Sequence, residues 1–223
     1  MGVQERRAKE RELRRSAILD AAKALYEQFG IDGVSMDRIA HEAELAKGTI
    51  YLYFKSREEL MMALIAGEMD HLLQVLERVA ASKRAPQQQL LDAVKAFYEL
   101  SQGSQFFYRV ISQVNITHVV GKDHAPSVVA EHFAQQNDRM FKVILGIIER
   151  GVERGDFHLA HPAPYVVAQM MLCIKGAMVI LANDMMPPFP IPKLQLDTLL
   201  TDIASLLIRG LEHAPASRPS KTT

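Results

Sequence analysis

The chain has a single cysteine, Cys173, among its 223 residues. An internal disulfide framework is therefore excluded, and one thiol fits a reducing, cytoplasmic setting. A charge excess is missing too, since 26 basic and 26 acidic side chains give a formal net charge of +0. Any affinity for nucleic acid must then come from local charge rather than from the bulk. The N-terminus is too charged for a secretory signal. Catalytic signatures are lacking as well: G-x-S-x-G, a Walker-type loop and H-E-x-x-H are all absent. The chain therefore reads as a non-enzyme with no catalytic residue and no cofactor. Asp156, His158 and His161 share a polar loop. Two imidazoles and a carboxylate in such a loop are far more often solvated than metal-bound, so no metal site is expected. Few alternating β-branched runs occur, which argues against sheets.

What is present is long apolar periodicity at 3.6 residues in a chain that is 48% hydrophobic. The expected class is all-α. Helix 1 should bury Ile18, Ala22, Leu25, Tyr26 and Phe29 and stop at Gly30. Val3–Arg15 before it holds six basic residues against three glutamates. It reads either as a solvated helix start or as a basic arm able to reach the phosphates of a nucleic acid. Ser56 should cap a long helix to about Ser82, with Glu58 and Glu59 well placed against its dipole. Pro86 suits the first turn of the next helix, and a further long one should end at Gly155-Asp156. Tyr165–Ala182 is apolar almost all round, so it is buried or membrane-spanning. Lys175 near its middle, and the lack of other spans, favour burial and no membrane. Leu194–Leu211 has an inward face wide enough for more than one neighbour.

The chain is organised around Ser35–Lys55, SMDRIAHEAELAKGTIYLYFK. Ser35 can cap a helix whose Met36, Ile39, Ala40 and Ala43 form one apolar stripe. Glu44, Leu45 and Ala46 make a turn. Ile50 and Phe54 then give a second short helix its inward face, leaving Lys47, Thr49, Tyr51, Tyr53 and Lys55 outside. Such a helix suits a major groove. On spacing alone, a surface helix pair in an all-helical protein fits equally well.

The wording of RRSAILDAAKALYEQFGIDGVSMDRIAHEAELAKGTIYLYFKSREEL decides between them. From about Arg15 to Leu64 it resembles the N-terminal domain of the tetracycline-repressor (TetR) family of bacterial transcription regulators. The resemblance implies a three-helix DNA-binding domain with a helix-turn-helix and a larger helical domain for ligand binding and dimerisation. It implies DNA contacts by Ser35, Lys47, Gly48, Thr49, Tyr51, Tyr53 and Lys55. The corresponding domains are a basic arm at 1–15, the DNA-binding unit at 16–56, an effector and dimer domain at 57–213 and a disordered tail at 214–223. Two positions depart from the family's usual wording. Glu44 stands where glycine is usual in the turn, and Ala46 stands where serine or threonine usually caps the next helix.

The resemblance also implies a homodimer through residues 165–182 and 194–211, with double-stranded operator DNA as partner. A small hydrophobic effector is expected against Phe97, Phe106, Phe107, Asn115, His118, Met140, Phe141 and Met171. Flexible methionines and aromatics suit such a pocket, although most should be ordinary core. The expected function is a dimeric repressor released from a palindromic operator by an apolar or amphipathic ligand. The alternative is a constitutive DNA binder whose C-terminal domain docks a protein partner.

Overall fold

The computed structural model describes residues 2–30, 33–104, 106–108, 128–182 and 195–213. Among them, regular structure is helical throughout. The helices are α1 (Val3–Phe29), α2 (Met36–Glu42), α3 (Lys47–Tyr53), α4 (Arg57–Ala81), α5 (Pro86–Gly103), α6 (Val128–Glu153), α7 (Ala163–Ala182) and α8 (Leu196–Glu212). The chain divides into two compact units, Met1–Asp70 with Gln102–Gln135 and His71–Ser101 with Gln136–Thr223.

In the first unit, α1 buries Ile18, Ala22, Leu25 and Tyr26 on one stripe. It ends at Gly30, whose φ of 74° is cheap only for glycine and whose N–H donates to Tyr26 O at 3.0 Å. Phe29 does not join the core. It is 41% exposed, and the Arg38 guanidinium lies 3.5 Å from its ring centroid. The apolar periodicity of α1 says nothing of a cation arriving from α2, and that cation covers the ring in place of core packing. Residues 3–14 are helical and fully on the outside, continuous with α1. Ile39 and Ala40 from α2, Ile50 from α3, Phe54, and Leu60, Ile65 and Met69 from α4 are buried.

Tyr26 is fully buried and stacks on Phe106 with centroids 5.2 Å apart. Its hydroxyl has no hydrogen-bond partner among the described residues. Burial pushes the phenol up from 10.0 to about 12, with Arg57 opposing and Glu58 assisting. In the unfolded chain the proton leaves near 10, so stability is intact below that pH and falls as pH rises toward 12. Tyr26→Phe is expected to raise neutral stability by about 1 kcal/mol, because it removes an unsatisfied buried hydroxyl. It should also abolish roughly 2–3 kcal/mol of alkaline loss. Urea unfolding at neutral pH and near pH 11 checks both parts; a destabilised phenylalanine variant contradicts the packing.

In the second unit, Leu90 of α5, Ile147 and Ile148 of α6, Phe157, Val166, Val167 and Met170 of α7, and Ile208 of α8 form one core cluster. The chain leaves α6 through Gly155, at φ 79°. The Asp156 and Phe157 N–H groups then donate to Gly151 O at 2.8 and 3.0 Å. This folds the Phe157 ring onto Gly151, where any Cβ would overlap it. Buried Gln89 donates from Nε2 to Ser82 O at 2.8 Å, closing the end of α4. His158 N–H donates to Leu211 O at 2.6 Å, tying the loop to α8.

Helix α7 is covered only in part by its own chain. It buries Val166, Val167, Met170, Ile174 and Met178, but only 28% of the stretch Ala163–Ile180 lies inside the chain. By length and composition α7 could cross a membrane, a test that core helices also pass. Leu172, at 70% exposure, stands opposite its buried stripe, and Leu206, at 67%, stands likewise on α8. Tyr165, Met171 and Ile180 are exposed as well.

Candidate nucleic-acid interface

The interface is built by α2, a four-residue turn and α3 within the first unit. Ser35 begins α2 as its cap, its Oγ accepting from Arg38 N–H at 3.2 Å. The cap leaves the hydroxyl proton available to an outside acceptor. The turn closes with Leu45 N–H on Ala40 O at 2.9 Å and Glu44 N–H on His41 O at 3.1 Å. Glu44 sits at φ 54°, the one positive-φ residue other than glycine among the described residues. Its side chain therefore bears the strain that the usual glycine avoids. Glu44→Gly is expected to stabilise the fold by about 1 kcal/mol, the relief of αL strain exceeding glycine's entropic cost. Thermal or urea unfolding reads the change, and a loss of stability contradicts it.

Helix α3 spans seven residues and starts at Ala46, which supplies no side-chain cap. Thr49 N–H returns to Ala46 O at 2.8 Å and Phe54 N–H to Ile50 O at 2.9 Å. Ile50 and Phe54, 0% and 2% exposed, anchor the helix inward. Lys47, Gly48, Tyr51 and Lys55 are exposed, whereas Thr49 and Tyr53 are half-buried at its flanks. Six of the seven sequence-expected contact residues thus lie on α3 or just beyond it, and Ser35 lies at the head of α2. Sequence reading missed Leu52, which is 78% exposed in the middle of this face. The signal was available: Leu52 is two residues from buried Ile50, about 160–200° around a helix.

The charges of the face are shared rather than free. Lys47 Nζ lies 2.6 Å from Asp37 of α2, and hydrogen bonding to that carboxylate, then its charge, raises the ammonium pKa. The Lys55 N–H donates to Glu59 at 2.7 Å, while Glu59 N–H donates to Ser56 Oγ at 3.1 Å. This reciprocal cap starts α4 and leaves the Lys55 side chain outward. Hydrogen bonds to its own backbone N–H and to Ser56 lower the Glu58 carboxyl pKa against the opposing effect of burial. On α1, Arg14 pairs with Glu10 and Arg15 with Glu12, and the Arg15 guanidinium lies 5.5 Å from the Phe54 ring centroid. Arg6, Arg7, Lys9 and Arg11 are exposed with no ion pair among the described residues.

The residues expected to hold an effector are distributed differently. Phe106 and Phe107 are buried in the first unit; Met140 is buried and Phe97 and Phe141 half-buried in the second. Met171 is 40% exposed, and Asn115 and His118 lie outside the described residues. The second unit has a cavity of about 140 Å³ between His158, His161, Val166, Met170, Leu207 and His213. None of the expected lining residues borders it, and it is small beside the roughly 300–1,000 Å³ of typical ligand sites. No cluster of three or more His, Cys, Asp or Glu able to hold a metal occurs among the described residues.

Residues 18–64 match the family model described as "Bacterial regulatory proteins, tetR family". The chain is 24% identical over 166 residues to the HTH-type transcriptional activator FasR of Mycolicibacterium smegmatis, covering 69% of this chain and 76% of that one. It is 25% identical over 144 residues to the HTH-type transcriptional repressor KstR2 of Rhodococcus jostii, covering 65% and 68%. In fold it is similar to the transcriptional regulator FadR of Bacillus subtilis, whose crystal structure is a complex with stearoyl-CoA. The TM-score is 0.67 at 20% identity, over 88% of this chain and 98% of FadR.

Proposed function

Because the chain carries a regulatory domain of the tetR family at residues 18–64, we propose that it is a dimeric, ligand-released transcriptional repressor working in the cytoplasm. The observation that carries this reading is α3 itself. It is a short helix anchored by Ile50 and Phe54, with Lys47, Gly48, Tyr51 and Lys55 turned outward. Two such helices, related by a two-fold axis, read a palindromic operator with half-site centres about 34–36 Å, or a multiple, apart. Lys47, Gly48, Thr49 and Tyr51 meet base edges or the groove floor. Ser35, Tyr53 and Lys55 hold phosphates, as does the basic start of α1.

The dimer forms through residues 165–182 and 194–211. The uncovered apolar face of α7 supports this, since a helix apolar all round needs cover beyond what its own chain gives. The segment 57–213 holds an apolar or amphipathic effector, with Phe97, Met140 and Phe141 of the second unit as its lining. The likeness to a regulator crystallised with stearoyl-CoA supports a long-chain acyl thioester as its class. A ligand releases DNA only by binding the DNA-incompetent arrangement more tightly, and a ratio of about 100-fold, near 2.7 kcal/mol, suffices.

The test is release from a bound duplex. Stearoyl-CoA, free stearate and coenzyme A are titrated separately against the protein–DNA complex. Release by the acyl thioester or by the fatty acid supports the reading. If no apolar or amphipathic compound shifts melting temperature or DNA affinity, and light scattering shows a monomer at micromolar concentration, the protein is instead a constitutive DNA binder. The apolar faces of α7 and α8 then dock another protein.

A further inference from the structure

The most exposed large apolar side chain among the described residues is Leu52, at 78%. Exposed leucines are common and carry no meaning singly. Leu172 and Leu206 belong to long helices with further apolar neighbours, and the proposed dimer accounts for them. Leu52 does not. It stands on a seven-residue helix beside Lys47, Tyr51 and Tyr53, with Lys55 just beyond its end, so its surroundings are mostly polar or charged groups.

Its placement is specific. Ile50 fixes the inward direction of α3, and helical geometry puts Gly48 and Leu52 opposite it, four residues apart on one outward line. Gly48 has open space where a Cβ would be, so a surface facing this line can approach the helix backbone there. Leu52 is then presented directly to whatever α3 enters.

If that is a major groove, base edges offer donors and acceptors nearly everywhere, and one apolar group: the 5-methyl of thymine. Leucine set against guanine N7 and O6 would strip water from two acceptors and replace none of their hydrogen bonds. Set against a thymine methyl, it buries apolar surface on both sides at no polar cost. We infer that Leu52 is a specificity-determining residue that reads a thymine methyl in each operator half-site. The inference rests on the DNA-binding reading above and deepens it.

The experiment starts from duplexes selected by the parent protein out of a randomised pool. Each thymine of the selected site is replaced in turn by deoxyuridine, symmetrically in both half-sites, which removes only the methyl. One symmetric pair is expected to weaken parent binding by about 4-fold per half-site, the worth of one buried methyl-sized group. The same replacement should leave Leu52→Ala unaffected, and Leu52→Met, which stays apolar, should retain sensitivity at that pair. A parent indifferent to deoxyuridine at every thymine overturns the inference, as does a Leu52→Ala variant that remains fully sensitive. A parent that selects no duplex at all fails the DNA-binding reading itself, and takes this inference down with it.

Discussion

Leu172→Glu is expected to yield a monomer and to lower operator affinity by about a thousandfold or more. Leu172 is 70% exposed and opposite the buried stripe of α7, so the substitution leaves the single chain's core intact. In a two-fold dimer the same patch meets itself, and each substitution enters the interface twice. An unpaired charge buried there costs about 3–5 kcal/mol, and about 4 kcal/mol is already a thousandfold in an equilibrium constant. With the dimer gone, each chain holds one half-site and loses the linkage that raises affinity for the whole palindrome. Light scattering reads the mass, thermal unfolding shows that the chain still folds, and duplex titration reads the affinity. A variant that remains dimeric and binds like the parent places the interface elsewhere.

Substitutions at the two ends of α3 should separate attraction from discrimination. Lys55 follows the helix, with its backbone tied to Glu59 and its side chain exposed, where a phosphate can meet it. Lys55→Ala should weaken binding to selected and random duplexes alike. It should also flatten the salt dependence by about 0.9 of a unit per lost phosphate contact, or about two units for the dimer. Tyr51, 44% exposed on the outward side of α3, should behave differently. Tyr51→Ala should reduce the preference for the selected duplex by roughly 1–3 kcal/mol per half-site while leaving binding to random DNA nearly unchanged. Equal losses on specific and random DNA in both variants would contradict the division of roles.

Local sequence signals were sound where the cause was itself local. Ile50 and Phe54, four apart, are the inward anchors of α3. Gly30 ends α1, Ser56 caps the start of α4, and Pro86 opens α5. Glu44, standing where glycine is usual, sits in the left-handed conformation that glycine tolerates best.

What stayed illegible depended on partners distant in the chain. Phe29 continues the apolar stripe of α1, yet Arg38 takes its outer face. Asp37 holds Lys47, a pairing across ten residues that periodicity does not encode. For α7, composition showed an apolar helix but not how little of it the chain itself covers. Aromatic content was equally ambiguous. Phe107 and Met140 are both well buried, in different units, and residue type alone does not separate pocket wall from ordinary core. Leu52 escaped notice because a search for polar contacts passes over leucine.

The most direct measurement is recovery of the genomic fragments that the intact protein binds. The expected result is a small set of promoter-proximal fragments sharing an inverted repeat, its half-sites centred about one helical turn or a multiple apart. Fragments of random sequence, or none above background, would contradict sequence-specific recognition by paired α3 helices.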